Sequence, residues 1–286
     1  MIFIRMGNFF IKFLFKSKIL RNFYIFLKNL PIIGKYLYKK INTIFPKDTH
    51  ILIRIPSGLG KGLLFYVNPR YEPGYLNGNH EPWLQEFLKK ELKKGFCFYD
   101  IGAHKGFFTI IASTIVGEDG KIVAFEPDPR NYIFLKRNVE INNLKNVFIV
   151  RKALFSYVGK INFFLSNFFS NWTESRVLNS TEMSFKKENN LIEVECTTLD
   201  EFISENKNFY PDLIKIDVEG AEIEILEGAS ETLKNIKPIW FIEVHAYQEI
   251  DSVISLFKKF DYKIEILTPS HPSYPDSRQT YVCAKI

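Results

Sequence analysis

The stretch FYDIGAHKGFF, residues 98–108, sets an acid, Asp100, at the end of an apolar run and just before Gly102 and Gly106. A glycine turn after a strand lets the backbone come close to a ligand. A dinucleotide would require G-x-G-x-x-G, with amides and a helix N-terminus turned toward its pyrophosphate. Here the spacing is G-x-x-x-G, and the neighbouring carboxylate repels phosphate. It suits a nucleoside ligand carrying cationic groups, and S-adenosylmethionine, with its sulfonium and ammonium, is the expected cofactor. A second acid, Glu126 in KIVAFEPDP, follows Gly106 by 20 residues, the approximate spacing at which an acid grips ribose hydroxyls. A carboxylate accepts both of them. Since a nicotinamide dinucleotide would use the same acid, the joint pattern discriminates and Glu126 alone does not. The expected cofactor-binding residues here are Asp100, Gly102, Ala103, His104, Gly106, Glu126 and Pro127. A plainer reading leaves the glycines to a tight turn, with Asp100 capping nearby amides.

Methyl transfer asks for in-line positioning and, with a hydroxyl acceptor, a place for its proton. Asp217 and Glu219 in DLIKIDVEGAE lie where a strand gives way to a helix, and His245 ends the strand of FIEVH. These three are the expected catalytic residues, with the base assigned to His245, to Asp217 or to no dedicated group. Glu222 is free to cap the helix that begins near Gly220. Lys215, inside an apolar strand, needs an acid such as Asp217 beside it. Asp217, Glu219 and Glu243 would offer hard oxygen ligands to Mg²⁺, yet their spacing is not diagnostic and no metal is assigned.

These groups need a sheet to bring them together. Strands are predicted at 96–101, 121–126, 147–152, 212–217, 239–244, 262–267 and 279–285, with helices at 107–116, 129–141, 220–235 and 249–260. Strands alternating with helices of this length predict an α/β fold, a doubly wound parallel sheet covered on both faces. The final pair, joined by TPSHPSYPDSR, is expected to be antiparallel. Residues 161–198 break the pattern and read as an inserted hairpin region over the active face. Upstream, two strands flank a glycine turn at 57–62, and 82–94 reads as a helix opened by Pro82 and closed by Gly95. The GLGKG there lacks the phosphate-loop spacing. The expected divisions are a basic helical extension at 1–50, a hairpin and helix at 51–95, and the catalytic domain at 96–286.

The stretches YDIGAHKGFFTIIAS, GKIVAFEPDPRNYIFLKRNVEINNLKNV, CTTLDEF, DLIKIDVEGAEIEILEGASETL and PIWFIEVH together resemble the FkbM-type S-adenosylmethionine-dependent methyltransferases. The resemblance runs from about residue 80 to 265. It implies a class I, Rossmann-like sheet of order 3-2-1-4-5-7-6 with strand seven antiparallel, O-methylation as the commonest activity, and KIDVEG at the active face. It also implies a cofactor contact after the third strand. Many class I enzymes place an acid there for the adenine amine, whereas this chain has Ala153, which leaves adenine to backbone and apolar packing.

Hydrophobic residues make up 46% of the 286 and charged ones 24%, a globular balance without disordered bias. The net charge of +6 is uneven: residues 1–50 hold ten Lys and Arg against Asp48 alone, so the remainder is mildly acidic. That argues against a nucleic-acid groove across the body. Basic residues among aromatics in the first fifty suit either peripheral contact with an anionic membrane or packing on the body. No apolar run there approaches a membrane span. Three scattered cysteines fit neither disulfides nor zinc, and a reducing cytoplasm is expected, with the inner membrane surface as the peripheral site. The acceptor reads as a hydroxyl on a glycan, glycolipid or small molecule. The alternatives are a methyltransferase for nucleic acid or protein and, less favoured, a nicotinamide-dependent oxidoreductase.

Overall fold

The computed structural model describes residues 49–165, 176–177, 190–245, 249–268, 270–271, 274–278 and 280–286. The basic segment 1–48 and most of 166–189 lie outside them. The chain divides into two compact units, with the boundary between Pro82 and Trp83.

In the first unit, β1 (Ile51–Arg54) and β2 (Leu64–Val67) pair antiparallel around the glycine turn, as their alternating apolar residues require. A short helix, α1 (Pro73–Leu76), follows.

The second unit opens with α2 (Pro82–Glu91), which spans the boundary, and continues through β3 (Cys97–Ile101), α3 (Phe107–Val116), β4 (Lys121–Phe125), α4 (Pro129–Ile141) and β5 (Val147–Val150). Then come β6 (Ala153–Leu154), β7 (Gly159–Phe164), β8 (Arg176–Val177), β9 (Leu191–Thr197), α5 (Leu199–Glu205), β10 (Leu213–Ile216) and α6 (Glu222–Glu227). The chain ends with β11 (Ile239–Val244), α7 (Ile250–Lys259), β12 (Lys263–Leu267), β13 (Ser270–His271), β14 (Tyr274–Arg278) and β15 (Thr280–Lys285).

Seven strands form the central sheet in the order β12-β15-β11-β10-β3-β4-β5. Neighbours are parallel except for β15, which runs antiparallel to both β11 and β12. Strand order reverses beside β3, and in such sheets the crevice at the carboxyl ends of the strands there receives the ligand. The interior strands are apolar on both sides because both faces are covered. One face buries Tyr99, Ile101, Val123, Ile214, Trp240 and Ile242 against Ile203 of α5, Leu226 of α6 and Phe257 of α7. On the other, Phe241 meets Phe87 of α2 with ring centroids 4.5 Å apart. Asp100 and Lys215, register partners on adjacent strands, sit on this second face toward Thr109 of α3.

Two elements depart from the sequence-based expectation. The single helix expected at 220–235 is broken: α6 ends at Glu227, and a separate π-helical turn covers Thr232–Ile236. Gly228 sits where a Cβ would meet the Phe155 carbonyl oxygen at 2.4 Å, and the Asp200 carboxylate accepts from the backbone amides of Glu231 and Thr232, both at 2.8 Å. Asp200 thus caps a second start inside what reads as one helix. It belongs to α5, which the strand-helix alternation missed. The signal for α5 was Thr198-x-x-Glu201, half of a capping box, and Thr198 Oγ1 does accept from the Glu201 amide at 3.0 Å.

The inserted region begins at Gly159, two residues earlier than expected. β7 and β9 pair antiparallel from Gly159↔Cys196 to Phe164↔Leu191, inside a four-stranded sheet of order β6-β9-β7-β8. The expectation that the insert covers the active face falls largely on residues outside the described ones.

Candidate active site

The turn after β3 is built by its glycines, although the close approach they permit is to the chain itself. Gly102 has φ +75°, and a Cβ on it would lie 1.8 Å from the backbone oxygen of Asp217. Gly106, at φ +83°, would drive a Cβ to within 2.4 Å of Leu135 Cδ1. Left-handed backbone and missing side chains therefore lock the β3 turn against the end of β10 and against α4. Two non-glycine residues share that left-handed conformation at these turns, His104 (φ 51°) and Glu219 (φ 60°). Such strain persists only where surrounding structure enforces it.

Asp100, expected beside a ligand, is fully buried. Thr109 Oγ1 donates to its Oδ2 at 2.6 Å, and Lys215 Nζ stands 3.1 Å from Oδ1. Lys215 also lies 3.3 Å from Asp217 Oδ2 and donates to the Gly102 carbonyl at 3.0 Å. The lysine anticipated as a counter-ion for Asp217 serves both acids and ties the β3 turn to β10. A buried lysine so partnered is tolerated, whereas removing one partner leaves an uncompensated charge.

Glu126, at the end of β4, accepts from the His104 amide at 2.7 Å and from the Asp128 amide at 2.8 Å. Burial, followed by the charge of Asp128, pushes its carboxyl up to about 8, against the opposing pull of those two amides and of Lys215. Ala103 and Gly102 donate to the Phe125 carbonyl, so the turn and Glu126 form one unit. Asp128 caps α4 by accepting from the Arg130 amide at 2.8 Å, with Pro129 at the first helical position. Pro127 sits between Glu126 and that cap. Ala153, three residues past the end of β5, is buried in the small core of the four-stranded sheet and paired with Cys196.

The other cluster gathers at the ends of β10 and β11. His245 Nε2 lies 3.4 Å from Glu219 Oε1, 3.6 Å from Asp217 Oδ1 and 3.9 Å from Glu243 Oε1, while Nδ1 meets Glu222 Oε1 at 2.8 Å. The structure thus brings Asp217, Glu219 and His245 together. Burial works to lower the His245 pKa, and it is outweighed by hydrogen bonds to Glu219 and Glu222 and by the charges of Glu219 and Asp217, which hold it well above the ordinary histidine value. Glu222 was missed as a partner of His245. Its anticipated capping role is present, since Oε1 also accepts from the Gly220 amide at 3.1 Å. Only the parallel pairing of β10 with β11 puts His245 beside it.

A twisted parallel sheet with one antiparallel strand next to its edge, and acids at the ends of its first, second and fourth chain-order strands, is a Rossmann-like α/β fold of the class I methyltransferase kind. The profile of the Methyltransferase FkbM domain matches residues 100–264, more than half of the chain, and the chain belongs to that family. It is a methyltransferase, and S-adenosylmethionine is its cofactor. The hexuronic acid methyltransferase AglP of Haloferax volcanii is 27% identical over 179 residues, 63% of this chain and 68% of that protein. A probable cobalt-precorrin-6B C(15)-methyltransferase of Sulfolobus acidocaldarius is 37% identical over 86 residues, 30% of this chain and 45% of that one. The crystal structure of an FkbM methyltransferase from Methylobacillus flagellatus superposes with a TM-score of 0.47 at 16% identity, over 74% of this chain. The present chain spans about half, 52%, of that structure's length.

Proposed function

We propose that the chain transfers the methyl group of S-adenosylmethionine to a hydroxyl of a glycan, glycolipid or small molecule, through the domain at 96–286. The Gly102–Gly106 turn with Ala103 and His104, together with Glu126 and Pro127, would hold the nucleoside end of the cofactor. Asp100 acts behind this turn, fixing it through Lys215. The residues fit such a group: Glu126 is buried and offers a carboxyl at the strand-order switch, and its raised pKa lets it donate as well as accept toward ribose hydroxyls. Ala153, following β5, would meet the adenine end by apolar packing. Bound there, the cofactor supplies the electrophilic methyl.

The observation that carries O-methylation is the convergence of Asp217 and Glu219 within 3.6 Å of the His245 imidazole Nε2. A hydroxyl nucleophile must shed its proton as the new C–O bond forms, and a cluster of carboxylates gives that proton a place to go. Hydrogen bonds and charges from the neighbouring carboxylates hold the His245 pKa above its ordinary value, and Asp217 and Glu219 are assigned as the acceptors of the hydroxyl proton. The relative named for hexuronic acid favours a saccharide acceptor. The basic, aromatic-rich first fifty residues support recruitment to an anionic membrane surface where a lipid-linked saccharide would be met.

The test is turnover with uronic-acid-bearing saccharides and labelled S-adenosylmethionine. Asp217→Asn is expected to cut kcat by roughly 10²-fold or more, with adenosylhomocysteine affinity retained in calorimetry. Native kcat in that variant would overturn the assignment of the proton acceptor. Failure to bind adenosylhomocysteine would overturn the placement of the cofactor.

A further inference from the structure

Lys215 is the third residue of β10, and Leu213, Ile214 and Ile216 around it are fully buried. The lysine itself is 3% exposed. A buried ion pair is often no more stabilising than apolar residues of the same volume, so stability alone gives little reason for an ammonium in this strand. Its surroundings give a better one. An ammonium carries three N–H donors, and three acceptors from two separate stretches of chain stand around this one. Asp100 Oδ1 at 3.1 Å and the Gly102 carbonyl at 3.0 Å belong to the end of β3 and its turn, whereas Asp217 Oδ2, at 3.3 Å, follows β10.

We infer that Lys215 is a positioning residue for the methyl transfer: it keeps the Asp217 carboxylate ionised and oriented, and ties that acid to the turn that would carry the cofactor. This rests on the proposed role of Asp217 as a proton acceptor. The two acids on the ammonium differ in access. Asp100 is fully buried and its other oxygen accepts from Thr109, whereas the Asp217 side chain is 21% exposed. Asp100 and Gly102 therefore anchor the ammonium from within, and Asp217 is the end that an acceptor can reach. With Oδ2 on the ammonium, Oδ1 is the oxygen on the His245 side, 3.6 Å from Nε2. The charged groups about Asp217 are Lys215 on β10, Glu219 two residues on, and His245 and Glu243 at the end of β11. Asp100 of β3 stands behind the ammonium and Glu222 of α6 behind the imidazole. Four of these are further carboxylates, and like charges favour the protonated acid, which cannot take up a second proton. The ammonium at 3.3 Å works against them.

The test reads the protonation of Asp217 directly, by nuclear magnetic resonance of the full chain labelled with carboxyl-carbon-13 aspartate, its signal identified as the one lost in Asp217→Asn. Lys215→Met combined with Asp100→Asn removes the cation without stranding a buried acid. In that double variant the Asp217 titration is expected to move to higher pH, and kcat at pH 5 to fall about tenfold relative to its plateau at pH 9. A merely structural counter-ion would lower kcat equally at every pH. A folded double variant in which Asp217 titrates as in the native chain overturns the proposal. If that variant does not fold, the native chain decides: the nitrogen-15 signal of the Lys215 ammonium, recognised by its displacement in Asp217→Asn, should shift with the same midpoint as the Asp217 carboxyl. An ammonium indifferent to that titration overturns the proposal. Native kcat in Asp217→Asn, with a displaced titration in the double variant, removes the proton acceptor and leaves the hold of Lys215 on Asp217 standing. Lost kcat in Asp217→Asn with an undisplaced titration does the reverse.

Discussion

Single side chains here are defined by the partners that bury them. Glu126 reads in the sequence as a ribose-binding carboxylate, and the structure adds that burial raises its pKa from 4.5 to about 8. An acid whose pKa is raised by folding contributes stability that is full below pH 4.5 and is lost as pH climbs through 8, because the unfolded chain ionises first. Relative to Glu126→Gln, the native chain should therefore lose stability across pH 4.5–8 with a slope approaching 1.4 kcal/mol per pH unit. Thermal melts of the two across that range check it, and parallel curves would show that Glu126 ionises normally. The cluster of Asp217, Glu219 and His245 was legible because the two acids follow β10 and the histidine follows β11, apolar strands that end at the same sheet edge. Glu222 was not, because a carboxylate at a helix start satisfies its local amide in any fold. Its contact with His245 exists only across two strands.

At the scale of elements, local signals worked where one residue type had one role. Pro129 after Asp128 set the start of α4, and the apolar FFTIIASTIV gave α3 its bounds. They failed at 220–235, where helix-forming residues run on while Asp200, from a distant element, caps a new start at Glu231 and Thr232. The glycines were legible as a turn, but the reason for them was not. Gly102 makes room for the Asp217 carbonyl, so Gly102→Ala is expected to destabilise by several kcal/mol, through both the clash and the left-handed backbone. A drop in melting temperature of more than about 10 °C, with residual adenosylhomocysteine binding weakened, is the expected result. An unchanged melting temperature would mean that the turn and β10 are not in contact.

For the molecule as a whole, charge is divided more sharply than the fold. No helix among the described residues is long and apolar enough to cross a membrane, and the basic excess lies in residues 1–50. Attraction of such a segment to anionic lipid is worth about 1 kcal/mol per basic residue near the surface, and it is screened by salt. Flotation of the full chain with phosphatidylglycerol vesicles should succeed in low salt and fall off by 0.5 M sodium chloride. It should fail with phosphatidylcholine alone. Equal recovery on both lipids would assign the segment to packing on protein instead.

What the sequence determined by itself was the alternation of strands and helices, the acids and glycines at strand ends, and hence the family and its cofactor, since periodicity and turn chemistry are local properties. The tertiary structure alone decided which further charges join the anticipated Lys215–Asp217 pair. Lys215 links Asp100 to Asp217, and Glu222 orients His245 amid three further carboxylates, because parallel pairing brings together the ends of strands that are far apart in the chain.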